Sequence, residues 1–245
     1  MSDKLQKIAV FDIDGTLFRW QLFHELVTEL TLAKVFPSNT YRLIDDAWQR
    51  WRGGEMPFNE YEKLVIDTLI TYLPLIPVPT FEAAAKKVVA QSGHKIHYYT
   101  HNLLKKLQAD GYYTLAISGS QQEVLGLFAN RYKFDDCIGA VYERKGGRYT
   151  GQISREVYGR KGQLLQEYLE SHPSLTLKDS VGIGDSEGDI PMLEMVENPI
   201  AFSPSEGLFK EAKERKWKVV VERKNISYTL EMQNGKYILA ETVVY

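Results

Sequence analysis

Two patterns of apolar positions divide the chain. Continuous apolar runs at Ile8-Ala9-Val10-Phe11, Tyr113 to Ile117, Ser180 to Ile183, Ile200 to Phe202 and Val219 to Val221 read as short strands buried on both faces. Helical segments separate the later runs: Tyr98 to Ala109, Gln121 to Ala129, Lys161 to Glu170, Ile190 to Val196 and Ser205 to Lys216. Ile138 to Tyr142 and Arg148 to Ile153 flank Gly146-Gly147, a hairpin signal, and Asn234-Gly235 marks another in the tail. Strands alternating with helices predict an α/β fold built on a doubly wound parallel sheet.

The second pattern fills residues 18–92, where the spacing is helical throughout. Leu22, Phe23, Leu26, Val27 and Leu30 make one apolar face, broken at Phe36-Pro37-Ser38-Asn39. Further helices are predicted over Tyr41 to Trp51, from Pro57 to about Tyr72, and from a Thr80 cap to Gln91. The chain thus divides into an α/β core over 1–17 and 93–245 and an inserted helical module over 18–92.

The first strand runs into Asp12-Ile13-Asp14-Gly15-Thr16. Alternation turns Asp12 and Asp14 to one side, and Gly15 permits a tight turn. Two carboxylates at the end of a buried strand need a cation or a proton to offset their desolvation. The carboxyl ends of strands in such a sheet are where ligands bind. Ser118-Gly119-Ser120 ends a second strand just before a helix, an arrangement that suits phosphate. Lys161 opens a helix, and Gly184-Asp185-Ser186-Glu187-Gly188-Asp189 ends a further strand. Oxygen-only clusters of this kind suit Mg²⁺, which keeps several waters and engages substrate phosphate.

Composition narrows the classes. Charged residues make up 25% of the 245 residues and the net charge is −2, which argues against a nucleic-acid footprint. No apolar run is long enough to span a bilayer, so no membrane partner is expected. The polar start MSDKLQK lacks a secretory core, and the single cysteine, Cys137, forms no internal disulfide. A cytoplasmic protein is expected.

The ordered set DxDGT, a strand-ending serine, a lysine and GDxxxD resembles the haloacid dehalogenase superfamily, in its phosphoserine-phosphatase-like branch. The motifs run from Asp12 to Asp189, and the flanking elements fit as far as Val221. The resemblance implies a Mg²⁺-dependent phosphomonoester hydrolase acting on a small phosphorylated metabolite. Asp12 would be the nucleophile that forms an aspartyl-phosphate, and Asp14 the acid and base. Asp12, the backbone carbonyl of Asp14, and Asp185 would hold the metal. Ser118, Gly119 and Lys161 would bind phosphate, Asp189 would support Lys161 or the metal, and Thr16 would position the acid/base loop. The insertion's place between the first two motifs matches the helical cap of this branch.

Two other functions share these motifs: a phosphotransferase using the same intermediate, and a non-catalytic phosphometabolite-binding protein, which would not need Asp14. In the phosphoserine enzymes a glutamate soon after the nucleophile meets the substrate ammonium, and a cap arginine meets its carboxylate. Here Gln21 and Val65 fall at those positions, so phosphoserine is expected to be a poor substrate. His94, His97 and His101 could share a helical face and bind zinc, but surface histidines are the commoner outcome. Trp20, Trp48 and Trp51 could line a pocket; holding the helices together is the favoured reading.

Overall fold

The computed structural model describes residues 5–245; the first four residues of the polar start lie outside it. Nine strands form one sheet in the order β4-β3-β2-β1-β5-β6-β7-β8-β9. The strands are β1 (Gln6–Phe11), β2 (Tyr113–Gln121), β3 (Asp136–Lys145), β4 (Arg148–Arg155), β5 (Leu175–Gly184), β6 (Asn198–Phe202), β7 (Lys218–Arg223), β8 (Ile226–Gln233) and β9 (Lys236–Val244). From β3 to β7 every pairing is parallel; β4 at one edge and β8-β9 at the other are antiparallel. The tail after Val221 therefore prolongs the sheet through the turn at Asn234-Gly235, where both residues have positive φ.

The continuous apolar runs follow from burial on both faces. Ile8 and Val10 join one apolar cluster while Ala9 and Phe11 join the other. Leu115 and Ile117 likewise oppose Ala116, and Val219 opposes Val220. One face is covered by α7 (Lys161–Ser171), α8 (Ile190–Leu193) and α9 (Glu206–Arg215). On the other lie α5 (Tyr98–Ala109), α6 (Gln122–Arg131) and the inserted helices α1 (Leu22–Leu32), α2 (Ser38–Arg52), α3 (Phe58–Tyr72) and α4 (Val78–Ser92). This is the doubly wound sheet the pattern predicts.

The insertion shares its apolar cluster with that face of the sheet: Leu26, Val65 and Phe81 belong with Phe11, Val124 and Phe128. The β3-β4 hairpin also props it. Phe81 on α4 packs on Tyr149, with ring centroids 4.9 Å apart, and Arg148 donates to the carbonyl of Leu75.

Some local expectations need correction. α4 starts at Val78, with Pro77 as its cap residue and no side-chain cap, so Thr80 does not start it. Proline at the second helical position supplies the fixed φ of a first turn instead. α8 is a single turn rather than a helix to Val196, because the chain must turn to enter β6 at Asn198 beside Val181. β2 continues through Ser118-Gly119-Ser120 to Gln121, with a register shift against β3 after Ile117. His97 precedes the first turn of α5 and His94 lies outside the helix, so the three histidines do not share a helical face.

Candidate active site

β1 lies between β2 and β5, which brings its carboxyl end beside the ends of both. Asp12 extends the pairing, its amide donating to the carbonyl of Ile183 at 2.9 Å. The chain then turns tightly: the carbonyl of Ile13 accepts from the amides of Thr16, Leu17 and Phe18. Strand alternation stops governing direction here, and Asp12 and Asp14 acquire different partners. Gly15 has φ +87°, and a Cβ there would lie 2.2 Å from Asp185 Oδ2. Glycine is required both for the turn and for the approach of Asp185.

Asp12 is buried and meets Lys161 Nζ at 2.6 Å. Lys161 also donates to Asp189 Oδ1 at 2.5 Å. Gly162 lets the start of α7 reach this position, since a Cβ there would stand 2.8 Å from the carbonyl oxygen of Pro191. The second oxygen of Asp189 accepts from the amides of Asp185 and Ser186 and from the Ser186 hydroxyl. Asp189 is thereby fixed by the backbone of its own loop and in turn fixes Lys161. The buried Thr16 hydroxyl lies 2.8 Å from Asp12 Oδ2 and 3.2 Å from Asp185 Oδ1. Thr100 Oγ1 donates to the Thr16 carbonyl from α5.

Asp14 sits on the other side of the turn. Its Oδ2 accepts from the hydroxyls of Ser118 and Ser120, the latter at 2.8 Å, and its Oδ1 accepts from the amide of Leu22 at 2.6 Å. Ser120 Oγ accepts from the amide of Phe23. The first amides of α1 are thus satisfied by Asp14 and Ser120 rather than by the preceding residue, Gln21, which provides no cap. Gly119, between the two serines, is exposed, and a Cβ on it would meet nothing within 4 Å.

Burial raises the Asp12 carboxyl, and the Asp189 and Asp14 charges add to this, while Lys161 opposes it. Asp185 is driven well up by burial and then by Asp12 and Asp189. Burial would lower Lys161, but Asp12 and Asp189 outweigh it and hold the ammonium charged. Burial also raises Asp14, against the hydrogen bonds from Ser118, Leu22 and Ser120. Three carboxylates with one lysine leave excess negative charge. Oxygens of Asp12, Asp185 and Asp189 lie within 4.8 Å of one another, the one such group of potential ligands among the described residues. That donor set fits a hard divalent cation, which would neutralise the repulsion that raises Asp12 and Asp185.

The structure therefore assembles Asp12, Asp14, Ser118, Lys161, Asp185 and Asp189 in one place. The sequence reading overlooked Ser120 as a ligand of Asp14, although it named the serine pair. The histidines take no part: His97 Nδ1 meets Glu222 and His101 packs edge-on against Tyr132. Trp20, Trp48 and Trp51 form an aromatic cluster with Phe58 and Tyr61, and Trp20 and Trp48 also line a cavity of about 300 Å³. A cavity of about 1360 Å³ is lined by residues such as Lys7, Asp179 and Trp217 and none of the cluster's carboxylates.

Residues 9–194 match the haloacid dehalogenase-like hydrolase family. A phosphoserine phosphatase of Methanocaldococcus jannaschii is 22% identical, over 82% of this chain and 87% of that protein. A histidinol-phosphatase of Neisseria meningitidis is 29% identical, over 88% of this chain and 99% of that one. The fold is shared with a Bordetella pertussis protein of unknown function, at a TM-score of 0.70 and 23% identity, over 88% of this chain and 98% of the other. It is shared too with a phosphoserine phosphatase solved as a phospho-aspartyl intermediate analogue, at a TM-score of 0.58 and 21% identity over 90% and 95%.

The chain belongs to the haloacid dehalogenase-like hydrolase family. Within it, this protein is a phosphatase, and phosphatases of this family are generally metal-dependent. Among the described residues, no helix is long and apolar enough to cross a membrane.

Proposed function

We propose that the protein is a Mg²⁺-dependent phosphomonoester hydrolase working through an aspartyl-phosphate on Asp12. The observation that carries this is the separation of the two carboxylates on one turn. Asp12 faces Lys161 and Asp185, whereas Asp14 faces Ser118, Ser120 and the start of α1. One environment suits a charged nucleophile beside cations; the other suits a group that exchanges protons.

An Asp12 oxygen attacks phosphorus and the bond from phosphorus to the ester oxygen breaks, while Asp14 gives that oxygen its proton. Water then attacks phosphorus, Asp14 takes the water's proton, and the bond to Asp12 breaks to release phosphate. Lys161, held by Asp189, stabilises charge on the phosphoryl oxygens with the Gly119 amide. Mg²⁺, bound by Asp12, Asp185 and the carbonyl of Asp14, would supply charge neutralisation and orient the phosphoryl group.

Ser118 has one hydroxyl hydrogen, and here it goes to Asp14. Giving it to a phosphoryl oxygen instead would remove a bond that favours the ionised carboxylate. Substrate binding would therefore help Asp14 to carry the proton that the leaving alcohol needs.

The helices over 18–92 act as a cap that covers the site. The substrate is a small phosphorylated metabolite. Relatives named for phosphoserine and for histidinol phosphate pose a chemical choice, because phosphoserine carries a carboxylate and histidinol phosphate does not. Val65 is buried in the apolar cluster and offers no charge for a carboxylate, which counts against phosphoserine. The test is phosphate release from a metabolite panel in Mg²⁺ and in EDTA, with rapid-quench detection of labelled phosphate on the protein. Mg²⁺-dependent release with label on Asp12 is expected; release that persists in EDTA, or label elsewhere, would overturn the reading.

A further inference from the structure

Glu222 is a buried carboxylate that the chemistry above does not use. It stands two residues after Val220 near the carboxyl end of β7, so both face the side of the sheet that α5 and the inserted helices cover. Its side chain is 0% exposed and meets donors from both crossings between the sheet and the insertion. On the entry, Arg19 Nη2 donates to Oε1 at 2.8 Å; on the exit, His97 Nδ1 lies 3.1 Å from the same oxygen. Oε2 accepts from the Tyr99 amide at 2.8 Å, which gives α5 the cap that His97 does not provide. Burial would raise this carboxyl, but His97 and the Tyr99 amide outweigh it and hold it below its ordinary value.

The two crossings are also bound to each other. Phe18 and Ile96 form an antiparallel bridge, and the Arg19 amide donates to the Lys95 carbonyl at 2.9 Å. Arg19 Nε donates to the Ile96 carbonyl at 2.6 Å. Arg19 leads directly to the acid/base group. The next carbonyl, of Trp20, accepts from the Gly15 amide, and the Leu22 and Phe23 amides hold Asp14 and Ser120.

We propose that Glu222 is a positioning residue for Asp14: it clamps both crossings and so keeps the start of α1 on the acid/base carboxylate. This rests on the phosphomonoesterase reading above and adds a residue to it. The argument is geometric. With the clamp released, the insertion can shift on its two linkers, and the Leu22 amide parts from Asp14. Asp12 is held from the core, by the Ile183 carbonyl and by Lys161, and stays in place. Loss of Glu222 therefore damages proton transfer to the departing oxygen more than attack on phosphorus. A defect in stability alone would affect both esters alike.

The test compares single-turnover phosphorylation of the Mg²⁺-loaded enzyme by 2-hydroxyethyl phosphate and by p-nitrophenyl phosphate. E222Q keeps the shape but turns a donor toward at least one of the three donors. Its rate should fall by about 30-fold for the alkyl ester and by about threefold or less for p-nitrophenyl phosphate. R19M should reproduce the pattern, the double variant should be no worse than the stronger single one, and E222D should regain part of the alkyl rate. Hydrogen exchange followed by NMR gives a readout besides activity. The Leu22 and Phe23 amides should exchange about tenfold faster in E222Q, while those of residues 115–117 in β2 keep the wild-type rate. An equal fall for both esters, or unchanged exchange at Leu22 and Phe23, would overturn the proposal. If wild type hydrolyses no ester while exchange at Leu22 and Phe23 still depends on Glu222, the hydrolase mechanism fails and the clamp stands.

Discussion

Lys161 Nζ lies 2.6 Å from Asp12 Oδ1, although 149 residues separate the two in sequence. Asp189 holds the same ammonium from the other side. The lysine is therefore the counter-charge that lets two buried carboxylates coexist. Lys161→Met keeps most of the volume and removes the charge. It should abolish turnover and lower unfolding stability by about 3 kcal/mol or more at pH 8 in EDTA, the scale for stranding buried partners. Urea denaturation measures this; a loss below about 1 kcal/mol would mean the ion pair contributes little to stability.

Asp12→Asn should eliminate phosphorylation of the protein, because an amide is a poor nucleophile and a poorer metal ligand. Asn still accepts from Lys161, so the fold should persist. Single-turnover assays with labelled ester are the check, and near-wild-type activity would rule out Asp12 as the attacking group.

Asp14→Asn separates proton transfer from phosphoryl transfer. Alkyl esters need a proton on the departing oxygen, whereas p-nitrophenolate leaves readily without one. The single-turnover rate should fall by about 100-fold or more for an alkyl ester, and much less for p-nitrophenyl phosphate. An equal fall for both would show that Asp14 is not the acid.

His24 gives a pH signature away from the carboxylate cluster. It is buried against Tyr61 and Phe58, and burial pushes its imidazole down to about 4 from an ordinary 6.5. Between those values the unfolded chain binds the proton and the folded chain does not. The resulting stability is complete above pH 6.5 and is lost as pH falls toward 4, about 3 kcal/mol in total. His24→Phe removes this dependence. The stability gap between wild type and His24→Phe should therefore shift by about 2–3 kcal/mol in the variant's favour between pH 7.5 and 4.5. A gap that stays constant would place the imidazole proton elsewhere. Loss of the Tyr61 hydrogen bond acts at both pH values and cancels.

Much of the fold was legible because its signals are local. The run at Ile8–Phe11 alternates between two apolar clusters, and Val219 and Val220 do the same while Val221 is exposed, as a strand covered on both faces along most of its length does. The Gly146-Gly147 and Asn234-Gly235 turns specify their hairpins through positive φ. Errors arose where a neighbour overrides local preference. Thr80 looks like a cap, but Pro77 and Pro79 already set the first turn of α4. The expected helix over Ile190 to Val196 stops at Leu193 because the chain must turn to enter β6 at Asn198 beside Val181.

The sequence by itself determined which chemical groups the site contains: DxDGT, the strand-ending serines, Lys161 and GDSEGD are written in order, each beside a strand or helix end. Only the tertiary structure decided how they divide the work. Placing β1 between β2 and β5 gives Asp14 to Ser118 and Ser120, and leaves Asp12 with Lys161 and Asp185. Periodicity and turn chemistry act over a few residues, whereas burial and charge pairing act through space between segments that sequence order keeps far apart.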